Sequence, residues 1–380
     1  MNQSVIRIAE CPADDPACVA TLKAGLGPGP FALVVVFVSP EAGEPGSLLS
    51  GLSQASHPAP VIGCTTAGEI GAIGYAEGLV VAVGFPAAEF GAETLLVPDL
   101  SRLDAQTVIG DLIRARGTLT QAHPGWDNEF VFLMIDGLST KEDEFASMIA
   151  PGLGGAQLFG GSAADGSRFL ETFIFHDGQA LRNAAVLALV RSRCEIRVFR
   201  FDHFQPTDTR MVVTGADPAR RTVQTINAEP AAQEYARLLG KDPQQLSPFI
   251  FAAHPVVVRI GGRHHVRSIR QVDDNGDLIF YSAIDEGLVL TLAEAQDMSD
   301  HLDTALRSLS RNGTPPDAIL ACDCVLRRME AQEKQLTTQI SSLLRAHRVT
   351  GFSTYGEQLN AMHVNQTLTG VAIYPPVVSP

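Results

Sequence analysis

The amino-acid sequence predicts an α/β fold with mixed sheets, built from repeated strand-helix-strand-strand units and arranged in two domains. Three observations predict it. A short glycine motif occurs three times: Val61-Ile62-Gly63-Cys64-Thr65-Thr66-Ala67-Gly68-Glu69, Leu158-Phe159-Gly160-Gly161-Ser162-Ala163-Ala164-Asp165-Gly166 and Val349-Thr350-Gly351-Phe352-Ser353-Thr354-Tyr355-Gly356-Glu357. Upstream of each copy lies an apolar, β-rich run. Downstream of each comes a second such run, so that one unit recurs in a fixed order.

The elements of the unit follow in turn. The upstream runs are Phe31–Ser39, Glu129–Gly137 and Ala318–Val325. Short apolar runs rich in β-branched and aromatic residues suit buried strands. A helical stretch then separates run from motif. In the second unit Ser139 precedes Glu142 by three residues, the spacing of a capping box. In the third, Met329, Leu336, Ile340, Leu343 and Leu344 fall on one face at helical spacing. The downstream strands are Gly78–Phe85, Ala184–Arg191 and Thr367–Tyr374. A strand-helix-strand segment favours a right-handed parallel crossover, and the last strand returns antiparallel.

Residues 201–313 lack the motif. A helix is expected over Ala231–Leu239, with strands around Val256–Ile260 and His265–Gln271. Asp273-Asp274-Asn275-Gly276-Asp277 is a strong turn signal and predicts a hairpin returning through Leu278–Ser282. A further helix is expected from about Gln296 to Ser310. Polar residues with Pro206 and Pro218 place a domain boundary near 205–222. The expected domains are 25–215, with two units, and 216–375, with the hairpin region and the third unit.

Composition narrows the function. The chain has 380 residues, enough for two or three domains at roughly 100–200 residues each. Its formal net charge of −14 disfavours nucleic acid and anionic lipid as partners. One local exception is Arg259, Arg263, Arg267 and Arg270 with His264 and His265. The apolar run Phe31 to Val38 is too short to cross a bilayer as a helix, and Met1 to Glu10 lacks a signal-peptide pattern. A cytoplasmic setting is therefore expected, with the six cysteines as free thiols. Cys322-x-Cys324 ends an apolar strand and reads as buried structural thiols rather than a metal site.

The residues of the three motifs resemble the FIST family. Ile62-Gly63-Cys64-Thr65-Thr66-Ala67-Gly68-Glu69-Ile70 and Phe159-Gly160-Gly161-Ser162-Ala163 resemble signatures of its N-terminal domain. Gly351-Phe352-Ser353-Thr354-Tyr355-Gly356-Glu357 with Asn365-Gln366-Thr367-Leu368-Thr369 resembles the closing block of its C-terminal domain. Gly261-Gly262, Val266-Arg267-Ser268 and Ile284-Asp285-Glu286-Gly287 fit its earlier part. The resemblance implies a sensory module that binds a small ligand and is not an enzyme. Stand-alone members of the family are similar to haem-binding nitric-oxide sensors that act on a partner histidine kinase in two-component signalling. Amino acids are the alternative ligand class. The family commonly carries a His directly before Asn-Gln-Thr. Here Val364 stands there and His363 is one residue earlier, which in a strand turns the side chain to the opposite face.

The candidate site residues follow from these two ligand classes. Non-covalent haem b needs an axial donor in an apolar cleft, and His363 and then His254 are the candidate iron ligands. Arg259, Arg263 or Arg267 would fork onto propionates or a ligand carboxylate. For an amino acid, the glycine turns offer backbone N–H groups, with hydroxyls from Thr65, Ser162 or Ser353 and with Tyr355 beside them. Glu69, Asp165 and Glu357 would take the ammonium. The competing reading of the glycines is close backbone packing. An enzyme using the acidic turns, Asp285-Glu286 or Glu69 with Glu357, is the third alternative; no G-x-S-x-G or H-E-x-x-H is present. Oligomeric state is open, a homo-oligomer included.

Overall fold

The computed structural model describes residues 4–43 and 45–376. Among these the strands form three six-stranded sheets and one eight-stranded sheet. The three six-stranded sheets are copies of one plan. In the first unit Phe31–Val38 lies parallel to Val61–Thr65 through the helix Gly46–Ser56, and Leu79–Pro86 returns antiparallel to Phe31–Val38. In the second, Asn128–Asp136 lies parallel to Gln157–Ala163 through Glu142–Leu153, and Ala185–Ser192 returns. In the third, Ala318–Cys324 lies parallel to Val349–Thr354, and Leu368–Ile373 returns. A strand added outside each return strand (Arg7–Pro12, Phe90–Val97 and Ile196–Phe201) completes that edge.

The opposite edge of each sheet is borrowed. Between motif and return strand every unit throws out a small hairpin, and that hairpin pairs with another unit's motif strand. Glu69–Gly71 and Gly74–Ala76 of the first unit extend the third sheet, where Gly351 faces Ile70. Ile174–His176 and Gln179–Leu181 of the second extend the first sheet, where Ile174 faces Cys64. Glu357–Leu359 and Met362–Val364 of the third extend the second sheet, where Glu357 faces Gly161. The exchange runs first to third, third to second, second to first, and closes into a ring. Burial of apolar faces holds the ring together. Phe37 stacks on Phe352 at 4.7 Å and meets Phe132 edge-on at 6.4 Å, so side chains of all three units share one core.

The segment between the second and third units forms the eight-stranded sheet. Its core joins Met211, Val213, Tyr235, Phe251, Phe280 and Ile284. Helix Ala231–Leu239 stands where the sequence places it and ends on Gly240 at φ +65, a left-handed cap that glycine favours. The expected hairpin is present: Ile269–Val272 pairs with Leu278–Phe280, and Asp273 accepts the N–H groups of Asn275 and Asp277. The polar stretch near 205–222 is largely strand, Phe204–Asp217, with a register break between Pro206 and Arg210. Helix Met298–Arg307 then returns to the third sheet.

Four local expectations are corrected. Ser139 does not cap a helix: its hydroxyl donates to Asp136 O and accepts Lys141 N–H, and Glu142 turns inward to Arg221. The third-unit helix is two helices, Val325–Glu333 and Thr337–Ala346, broken at Gln335 with φ +57; Met329 thereby leaves the face of Ile340 and Leu344. The run His265–Gln271 is split at Ser268 between the strands Arg263–Arg267 and Ile269–Val272. Cys11 and Cys18 form a disulfide, because the strand Arg7–Pro12 and the helix Cys18–Leu26 bring their Cα atoms to 5.8 Å; Cys64, Cys194, Cys322 and Cys324 are buried free thiols.

Candidate functional site

The first glycine of each motif serves packing. A Cβ on Gly63, Gly160 or Gly351 would lie 2.0, 2.2 or 1.8 Å from the carbonyl oxygen of Val36, Leu133 or Ala321, its register partner on the parallel strand. The turns that follow bond to one another across the ring. Ala67 N–H donates to Ser353 O and Ser353 N–H to Gly68 O; Ala164 N–H donates to Thr65 O; Ser162 N–H donates to Gly356 O. The motif hydroxyls are largely spent on this lattice. Thr65 Oγ accepts Phe173 N–H at 3.0 Å, and Ser162 Oγ accepts from Gln358 at 2.9 Å.

The motif acids are buried. Thr66 donates its hydroxyl to Glu69, and Leu79 N–H donates to the other carboxylate oxygen at 3.2 Å. Burial nonetheless pushes Glu69 up to about 7, against the pull of these two bonds and of Arg328. Glu357 accepts the N–H and hydroxyl of Thr367, yet burial raises its carboxyl well above the usual range. Asp165 accepts the N–H groups of Phe169, Leu170 and Glu171 and the hydroxyl of Tyr355. The acids thus shape turns, and the alternative enzyme reading finds Glu69 and Glu357 without exposure.

A cavity of about 370 Å³ opens where these turns meet. Thr66, Ala67 and Gly68 of the first motif form one wall, Gly166 and Ser167 of the second another, and Arg328, Met329 and Gln332 of the helix Val325–Glu333 a third. Phe249 from the inserted sheet domain closes one side. The place is the expected one for an α/β fold, outside the carboxyl ends of parallel strands. Arg328 is its fixed charge. The side chain is 6% exposed, lies over the Tyr75 ring at 5.1 Å, and donates to Ala76 O at 2.9 Å and to Glu77 at 3.0 Å. Its Nε is buried without a partner among the described residues. Gly68, at φ +122, makes room for it: a Cβ there would lie 2.1 Å from Arg328 Nη1.

The chain matches the profile of the FIST N domain over residues 32–229 and that of the FIST C domain over 231–360. The chain belongs to the FIST family. FIST domains are sensory domains of signal transduction that bind small ligands. Among curated proteins none matches the chain. The motifs of the first two units lie in FIST N and the parallel strands and helices of the third in FIST C, so the cavity is built by both.

None of the side chains expected to hold the ligand lines this cavity, although the glycine turns reach it at Gly68 and Gly166. His363 is fully buried; Gln358 approaches Nδ1 at 3.2 Å and Asn365 approaches Nε2 at 3.4 Å. Its ring packs on Gly356, where a Cβ would lie 2.3 Å from Cε1. Burial holds its pKa down to about 3, with Arg221 and Arg267 reinforcing and Asp143 opposing. His254 follows the helix Pro248–Ala253, half-buried, with its pKa lowered by burial and then by Lys241. Arg267 bonds His363 O at 3.0 Å and lies 3.8 Å from Asp143, while Arg259 sits exposed on its hairpin opposite His264. The basic cluster is thus divided between a buried interface and an open edge. Tyr355 and Ser353 are buried behind the cavity, Ser353 at 3.5 Å from Arg328. Burial raises Cys322 and Cys324 well above the usual thiol range, and the described residues hold no group of metal-ligating side chains.

Haem does not fit these residues. Both ring nitrogens of His363 face amide side chains, and neither His363 nor His254 borders the cavity at the turns. The cavity's own charged and hydroxyl lining differs from the apolar cleft that haem requires. The residue missed from sequence was Arg328. Its signal was present: Arg327 and Arg328 stand three and four residues beyond the end of an apolar strand.

Proposed function

We propose that the chain is a sensor whose cavity at the turns takes a small zwitterionic metabolite of the amino-acid class. One observation carries this reading. The cavity has Arg328 fixed in its wall, with the carboxylates of Glu77 and Glu41 beside it. Glu77 is 66% exposed and yields readily, so a ligand carboxylate takes the guanidinium edge that Glu77 covers. Glu77, freed from Arg328, and Glu41 of the same lining then face the ligand's ammonium.

A route for the signal leads from the same helix. Tyr75, under Arg328, donates its hydroxyl to Asp323, which accepts Arg327 Nε at 2.8 Å. Arg327 bonds His203 Nδ1 at 2.9 Å, and His203 Nε2 bonds Glu330 at 3.0 Å. His203 precedes the first strand of the inserted domain, so a ligand that moves Arg328 shifts the seat of that domain. Signalling requires unequal affinity for two such arrangements. The output in this reading is regulation of a separate histidine kinase. Among the described residues no helix is long and apolar enough to cross a membrane. The expected cytoplasmic setting is weighed against by the Cys11–Cys18 bond, a linkage rare in reducing compartments.

Thermal denaturation with a panel of amino acids tests the reading. A specific ligand at a hundred times its Kd stabilises the fold by about 2.7 kcal/mol. Arg328→Ala is expected to abolish that stabilisation. If every member of the panel leaves the melting curve unmoved, or if Arg328→Ala responds as the wild type does, the reading is wrong.

A further inference from the structure

The ring of three units creates three related junctions. In each, the end of one unit's first strand faces the motif turn of another unit. The end of Ala318–Cys324 faces Thr66–Gly68, and the cavity described above lies there. The end of Asn128–Asp136 faces Tyr355-Gly356, and that junction is filled by protein. A Cβ on Gly137 would lie 3.0 Å from the Tyr355 ring, Tyr355 stacks on Phe169 at 4.3 Å, and Arg221 of the inserted domain bonds Glu142. The remaining junction, where Phe31–Val38 ends against the loop after Asp165, is open. It holds a cavity of about 310 Å³.

We infer that this third junction is a second ligand site, selective for a small monocarboxylate with a short apolar body. The inference rests on the reading that open junctions of this ring are ligand sites, and it concerns a neighbouring cavity that meets the first at Ser39 and Pro40 and has Arg168 in place of Arg328. The loop that rims it is preformed. Asp165 gathers the N–H groups of Phe169, Leu170 and Glu171 at 2.8, 2.9 and 3.0 Å, and Tyr355 donates to the same carboxylate. That carboxylate is thereby satisfied by fixed donors. The Glu171 charge is met by Arg182 at 2.9 Å. Arg168 differs. Its Nε donates to Asp165 O at 3.1 Å and lies 3.9 Å from Asp165 Oδ2, while its terminal nitrogens have no partner among the described residues. They form a two-pronged donor at the cavity wall, the geometry that a carboxylate matches. Val38, Pro45, Leu170 and Phe173 supply the apolar lining. Leu170, 73% exposed, offers apolar surface beside Arg168 that the body of such a ligand would cover.

Benzoate is a suitable probe, titrated calorimetrically into the full chain. Arg168→Ala removes the prong. Leu170→Trp, made at an exposed position, fills the cavity while leaving the fold's melting temperature in place. Each is expected to weaken benzoate binding by at least about tenfold, with Arg328→Ala binding as the wild type does. The inference is overturned if the wild type takes up no benzoate, if both loop variants bind it unchanged, or if only Arg328→Ala loses it. The last result would place benzoate in the first cavity. The amino-acid panel reads the first cavity independently, so failure of one site is separable from failure of the other.

Discussion

At the scale of single residues, burial decides more than residue type. Glu69 stood out in the sequence as an acid in a glycine turn, and its place in the motif was legible. Its environment was not, because Phe352 and Arg328, which come up beside it, belong to the third unit. Burial holds its pKa at about 7 against an ordinary 4.5, so the folded chain keeps a proton that the unfolded chain releases. Its contribution to stability is therefore full below about 4.5 and is lost as pH rises through about 7. Glu69→Gln removes this dependence. Between about pH 5 and about pH 8 the wild type should lose melting temperature relative to the variant, and parallel curves would refute the assignment. Arg221 makes a second case. It reaches from the inserted domain to Glu142, with 8% and 2% of the two side chains exposed. Arg221→Ala strands a buried carboxylate and is expected to cost about 3–5 kcal/mol in denaturant titrations. The double variant with Glu142→Ala should lose less than the sum of the two single changes. Sequence patterning read Glu142 as a capping residue because its partner is 79 positions away.

At the scale of elements, the repeated strands were readable because each is bounded by its own local chemistry. Apolar runs, glycine turns and the Asp273–Asp277 signal fall within a few residues of the structure they specify. The third-unit helix misled because helical spacing continues across Gln335, whose φ of +57 breaks the chain into two helices. The motif glycines admit a direct test of why they are glycine. Gly160→Ala drives a methyl group into Leu133 O, and an overpacked core site of this kind costs about 1–3 kcal/mol. Gly351→Ala meets the same obstruction from Ala321 O and adds a strained φ of +152. Gly117 is the control. It lies within the helix Ala105–Ala122 with open space around it, so Gly117→Ala should stabilise by up to about 1 kcal/mol. Chemical denaturation of the three variants separates packing from a ligand role. Equal, small effects at Gly160 and Gly117 would mean that the parallel strands have room to part.

At the scale of the whole molecule, the hairpin exchange joins what the family profiles divide. FIST N ends at residue 229 and FIST C begins at 231, yet the second sheet takes its edge from Glu357–Leu359 and the third sheet takes its edge from Glu69–Gly71. None of this pairing was visible in the sequence, because the strands concerned are separated by about 190 to 280 residues and carry no local signal of their partner. The physical consequence is cooperativity. A chain stopped at residue 229 leaves Gln157–Ala163 without its edge strand and the hairpin Glu69–Ala76 without a sheet, and it removes Phe352 from the stack on Phe37. Exposed edges and an opened apolar core invite association between chains. The fragment is therefore expected to aggregate or to remain loosely packed, as read by near-ultraviolet circular dichroism. The intact ring is expected to unfold in a single calorimetric transition, with the inserted domain following through Arg221 and His203. Two well-separated transitions at the FIST boundary would show that the exchanged hairpins contribute little. In that case the cavity between the units would have no rigid frame on which to register a ligand.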